Sequence, residues 1–105
     1  MEKKIVDYRP WKPRGERTFL KDLVDKTIII KNITFHKAGE DNCWSDSVTI
    51  ECDVDGEPRY FKTSSIAIMK IAESLKSQLS DNYIRAKVII AYCPYGDYYS
   101  LDAPD

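Results

Sequence analysis

Ser47-Val48-Thr49-Ile50-Glu51-Cys52-Asp53-Val54-Asp55-Gly56-Glu57-Pro58-Arg59-Tyr60-Phe61-Lys62-Thr63-Ser64-Ser65 is the stretch that decides the fold. Val48, Ile50, Cys52 and Val54 fall on one side of residues 47–54, and Thr49, Glu51 and Asp53 on the other. That period of two marks a half-buried strand. Asp55-Gly56 follows, and both residues tolerate the positive φ that a tight hairpin needs. Residues 57–62, with Tyr60 and Phe61, then read as the return strand. Pro58 lacks an amide donor, which predicts a sheet edge or the first residues of a strand.

Downstream, Ile68, Ile71, Ala72, Leu75 and Leu79 form a single apolar stripe at helical spacing. The stripe predicts one helix over 64–79, with Ser64 or Ser65 as its cap and Ser80-Asp81-Asn82 at its end. Residues 83–92 alternate again. Ile84, Ala86, Val88, Ile90 and Tyr92 are expected on the core side, with Arg85 and Lys87 opposite. Cys93-Pro94-Tyr95-Gly96-Asp97 is a turn, and residues 98–101 are a last strand.

Upstream, residues 27–36 are rich in β-branched side chains. Ile28 and Ile30 share one parity and Ile33 and Phe35 the other, so a bulge near Lys31-Asn32 is expected. Residues 37–46, with Gly39 and Asn42, read as a loop. Phe19, Leu20, Leu23 and Val24 predict one short helical turn, with Thr18 as its cap. Pro10, Pro13 and Gly15 mark residues 1–17 as an extended or mobile arm. The expected organisation is therefore an arm over 1–17, one domain over 18–102 and a short acidic tail over 103–105.

The chain has 105 residues, of which 43% are hydrophobic, so it can bury a core without disulfides or metal. Apolar runs such as Ile28-Ile29-Ile30 and Val88-Ile89-Ile90-Ala91-Tyr92-Cys93 are too short for a membrane span or a signal peptide. A cytoplasmic location is expected. Cys43, Cys52 and Cys93 are odd in number and lack paired spacing, which suits free thiols. The net charge of −1 argues against a strongly basic coat for duplex nucleic acid. It is unevenly spread. Residues 3–17 hold six basic side chains against two acidic ones, and the last nine residues hold three Asp and no cation.

The order βββαββ, with the helix between the third and fourth strands, fits a mainly β domain: a five-stranded, partly open barrel plugged by one helix. The competing architecture is an α+β sandwich with a helix over a meander. Three segments carry a closer resemblance: residues 23–35, opening on Leu23-Val-Asp-Lys-Thr-Ile-Ile-Ile; Phe61-Lys-Thr-Ser-Ser-Ile leading into the helix; and Arg85-Ala-Lys-Val-Ile-Ile. Over roughly residues 20–101 the pattern resembles small phage-type single-stranded-DNA-binding OB-fold proteins. The resemblance implies an OB-fold and a non-enzymatic role on single-stranded DNA or RNA, in replication or recombination.

Binding single strands takes aromatic faces for bases and cations for phosphates. The chain has two Trp, seven Tyr and three Phe. The expected contacts are Trp44 and Lys37 in the first long loop, and Arg59, Tyr60 and Lys62 on the hairpin. Tyr95 and Tyr98 near the last turn, and Arg85 and Lys87 on the outward side of their strand, complete the set. Arg9, Trp11, Lys12, Arg14 and Arg17 could add contacts from the arm. Tyr and Trp also commonly close the ends of small barrels, which is the plain structural role for the same residues. Glu51 and Asp53, on the outward side of the second strand, oppose phosphate binding. If they line the groove, the competing role is an OB-fold module for a protein partner.

His36, Cys43 and Cys52 lack the short paired spacings of a zinc site, so no metal or other cofactor is expected. One histidine and no nucleophile or phosphate-loop motif argue against an enzyme. Monomer and dimer both remain open from sequence, since Pro58 marks an edge that could pair.

Overall fold

The computed structural model describes residues 3–5, 7, 12–39 and 45–104. Its elements run β1 (Glu16–Arg17), α1 (Leu20–Leu23), β2 (Thr27–His36), β3 (Ser47–Val54), β4 (Glu57–Thr63), α2 (Ile66–Gln78), β5 (Ile84–Ala91) and β6 (Tyr98–Asp102). The fold is mainly β. All six strands lie in one sheet, ordered β1-β4-β3-β2-β5-β6. β1 pairs parallel to β4, and every other pairing is antiparallel.

The expected five strands become six, the expected helix and short helical turn form α2 and α1, and the sheet is not closed into a barrel. β6 ends one side of the sheet, and the two residues of β1 end the other. Nothing in a Pro- and Gly-containing arm marks a two-residue strand, because its pairing with Arg59 and Tyr60 is a long-range contact without local periodicity.

The alternating stretch of β3 folds as its period requires. Ile50 pairs with Ile33 and Phe61, and Val48 with Phe35 and Thr63. Ile28, Ile30, Ile33, Val48, Ile50, Phe61, Ile68, Ala72 and Val88 are each no more than 2% exposed and form the core. The Asp55-Gly56 turn has φ of 53° and 82°, as a hairpin of this kind needs. Pro58 lies opposite Asp53, one residue before β4 takes up β1 on its second side.

The register of β2 against β3 shifts between Ile30 and Asn32, so Lys31 is the extra residue of a bulge. This reconciles the two parities of β2. Ile28 and Ile30 face the core before the bulge, and Ile33 and Phe35 after it.

α2 lies over the core face, against β6, β2 and β3. Ser65 caps it by accepting from the Ile68 amide at 3.5 Å. The helix is shorter than its apolar stripe, since Leu79 is the C-cap. α1 has no side-chain cap. Its N-cap is Phe19 rather than Thr18, whose amide instead donates to the Tyr60 carbonyl at 2.8 Å. Tyr92, expected on the core side, is 81% exposed because β5 ends at Ala91. No helix among the described residues is long and apolar enough to cross a membrane.

Candidate nucleic-acid interface

Pairing registers fix which side chains share the face of the sheet turned away from α2. Pro58, Asp53, Ile29 and Arg85 form one cross-strand row. Tyr60, Glu51 and Asn32 form the next, and Lys62, Thr49 and Thr34 the one after. Lys87 shares this face opposite Asp102, and Tyr98 lies opposite Ala91. Thus Tyr60, Lys62, Arg85, Lys87 and Tyr98 lie on one face, Arg85 and Lys87 as the alternation predicts. Glu51 and Asp53 lie among them.

At one end this outward face is itself buried. Thr49 is 2% exposed, and Ser47 and His36 are each 5% exposed, with His36 Nε2 and Thr49 Oγ1 2.9 Å apart. The accessible part therefore runs from the Tyr60–Glu51–Asn32 row towards the Asp55-Gly56 turn and β5, with Lys62 exposed at the margin of the buried end.

A cavity of about 480 Å³ opens there, lined chiefly by Arg14, Lys31, Asn32, Glu51, Asp53 and Arg59. Its carboxylates have partners within the face. Glu51 accepts from the Arg14 amide at 2.6 Å and from Asn32 Nδ2 at 2.9 Å. The bulge aims Lys31 at Asp53, with Nζ 2.8 Å from the carboxylate and 5.0 Å from the centre of the Tyr83 ring. Arg59 behaves differently from its neighbours. It pairs with the core-facing Cys52 and divides its guanidinium between Glu16 at 2.5 Å and Glu57 at 2.6 Å. Arg59 thus clamps β1 to β4.

The second part of the site is the β5–β6 loop. Tyr92 is 81%, Tyr95 97% and Tyr98 45% exposed. A run ending Tyr92-Cys93-Pro94-Tyr95-Gly96-Asp97-Tyr98 thus puts three phenol rings into solvent within one short connection. Tyr99, at the opposite parity, packs against the core. Phe19 is a further exposed ring, 51% accessible, with the Arg17 guanidinium 5.2 Å and the Lys21 ammonium 5.9 Å from its centre.

No family model, curated protein or solved structure matches the chain. The site's own geometry therefore carries the reading.

Of the remaining expected contacts, Lys37 is exposed just beyond β2, outside the rows above. Lys12, Arg14 and Arg17 are exposed, and Arg14 lines the cavity. Trp44, Arg9 and Trp11 lie outside the described residues. Sequence reasoning missed Lys31, Asn32, Tyr83 and Tyr92. A bulge was legible at Lys31-Asn32, but the direction it gives Lys31 was not. Tyr92 was assigned to the core by parity, and one residue less of strand reverses that.

Burial, with a smaller contribution from Asp53, pushes the Cys52 thiol up to about 12. It remains a protonated, apolar filler of the core. Among the described residues no group of three His, Cys, Asp or Glu side chains is placed to hold a metal ion.

Proposed function

We propose that this protein binds single-stranded nucleic acid, DNA foremost, by stacking bases on exposed tyrosines while cations on the outward sheet face track the phosphates. The single observation that carries this reading is the solvent-facing trio of Tyr92 and Tyr95 on the β5–β6 loop and Tyr98 at the start of β6. Each base stacked on an aromatic ring contributes about 1–3 kcal/mol, largely irrespective of sequence.

The order of the sheet supports an OB-like framework. The run β4-β3-β2-β5-β6, with α2 between β4 and β5 along the chain, is the strand order of such a barrel opened between its third and fifth strands. In that fold the second and third strands and the loop joining the last two strands bind oligonucleotides. Here those elements are β3, β4 and the tyrosine loop. No catalytic step or cofactor enters this reading.

The internal charge matching sets the expected strength. With Lys62, Arg85 and Lys87 as the phosphate contacts, log K should fall with log salt at a slope of about −2, at ~0.7 per contact for a single strand. Fluorescence-anisotropy titration of a labelled dT oligonucleotide at low salt tests this, with an rU oligonucleotide beside it. Binding with that shallow slope supports the proposal. No binding at tens of micromolar protein, or binding indifferent to salt, contradicts it.

The competing role, a module for a protein partner, is favoured by one observation. Glu51 and Asp53 lie within the outward face, where their carboxylates repel phosphates and Lys31 offsets Asp53 at 2.8 Å. Affinity capture of one stoichiometric protein, without nucleic acid, would favour that role.

A further inference from the structure

Residues 14–18 run along the β4 edge of the sheet, with Arg14 reaching over the accessible end of the outward face, and are held there by specific contacts. The Arg14 amide donates to Glu51 at 2.6 Å, and Glu51 occupies the same cross-strand row as Tyr60. Gly15 has φ +88°, and a Cβ built there would sit 2.5 Å from the Pro58 carbonyl oxygen and 2.6 Å from its carbon. Glu16 and Arg17 take up parallel register with Arg59 and Tyr60, and the Thr18 amide donates to the Tyr60 carbonyl at 2.8 Å. Glu16 also meets Arg59 at 2.5 Å. An arm resting at random on the surface would not require a glycine at one position and a matching acid at the next.

The same attachment is shallow. β1 is only two residues long, both exposed, and it is parallel, the weaker pairing per residue. Glu16 is 83% exposed on its side chain, so its ion pair with Arg59 is screened by solvent and salt. Phe19, where the strap joins α1, is half exposed. Segments with few buried contacts and exposed backbone bonds open at low cost. Release would uncover Glu51, the Tyr60 row and the cavity that Arg14 helps to line. Arg14, which lines that cavity, is exposed and moves with the strap.

We propose that residues 14–18 form a displaceable strap along the β4 edge that reaches over the β3–β4 part of the binding face at Arg14, and that strap docking and occupation of this face by single-stranded nucleic acid are mutually exclusive. This rests on the nucleic-acid reading above. A strap docked nine-tenths of the time would hide about tenfold in apparent affinity.

Two charge-neutral variants test it. Gly15→Val cannot keep the left-handed φ or the contact with Pro58, and Thr18→Pro removes the donor to Tyr60. Neither position belongs to the buried core. Tryptic cleavage after Arg14 reports release of the strap, and anisotropy with a labelled dT oligonucleotide reports affinity. The expected result is faster cleavage in both variants, together with binding several-fold tighter than the unaltered protein. Faster cleavage with unchanged or weaker binding overturns the strap proposal while leaving the nucleic-acid reading standing. Unchanged cleavage in both variants overturns it as well. Absence of binding by the unaltered protein and both variants defeats the nucleic-acid reading itself, and the competition with it.

Discussion

Gly15 rests against the Pro58 carbonyl so closely that any Cβ at residue 15 would come within 2.5 Å of its oxygen. The contact joins the arm to β4 at the point where β1 begins to pair. The stability lost in Gly15→Ala is bounded by the attachment of the strap, because the segment can lift off instead of straining the sheet. Chemical denaturation should show a cost of about 1–2 kcal/mol, the scale of an incompatible backbone conformation. A loss of the size of a core deletion would show that the strap is part of the folding core.

Phe61 is fully buried between the sheet and α2 and pairs with Ile50. Phe61→Ala should cost roughly 3–5 kcal/mol, the range for emptying an aromatic site in a packed core. The comparison with Gly15→Ala in the same denaturation series separates core from strap. Near-equal losses would contradict the division drawn between them.

Much of this core was legible beforehand. The alternation of Val48, Ile50, Cys52 and Val54, the Asp55-Gly56 turn and the stripe from Ile68 to Leu79 are local patterns, and local patterns survive into structure. The bulge at Lys31 was legible because two parities in one strand cannot otherwise share a core. The failures are long-range or terminal. β1 exists only through its pairing with Arg59 and Tyr60, and closure of the sheet depends on two strands far apart in sequence. The partners of Arg59 come from the arm and the hairpin, and neither pattern reveals them. Tyr92 lies one residue beyond the end of β5, where the alternation no longer governs direction.

The buried thiol of Cys52 gives a pH signature. Its folded-state value of about 12 lies above the ordinary 9.0, so below pH 9 the group is protonated in both states and contributes no slope. Above pH 9 the unfolded chain ionises while the fold keeps its proton. Stability should therefore fall as pH rises from 9 towards 12, by about 1 kcal/mol per unit from this group. Denaturation midpoints of the unaltered protein and of Cys52→Val, measured across that range, should diverge in slope. Parallel curves would show that Cys52 is accessible to solvent.

Asp53 lies on the outward face, in the row that ends at Arg85, and is held by Lys31 at 2.8 Å. Asp53→Asn removes a carboxylate from the proposed phosphate path and releases the ammonium of Lys31 from its partner. Affinity for a dT oligonucleotide should rise severalfold at low salt, and the gain should shrink as salt approaches 0.5 M, where screening shortens to a few ångströms. Unchanged affinity would place the bound strand away from β3.

The most direct measurement compares the unaltered protein with a Tyr92→Ala, Tyr95→Ala, Tyr98→Ala triple variant in anisotropy titrations against a labelled dT oligonucleotide. Tyr92 and Tyr95 are almost wholly in solvent and Tyr98 nearly half so, and the variant should keep its thermal midpoint within a few degrees. Loss of stacking should weaken binding by at least about tenfold, since even one lost base–aromatic contact is worth ~1–3 kcal/mol. A folded triple variant that binds as tightly as the unaltered protein would contradict the account.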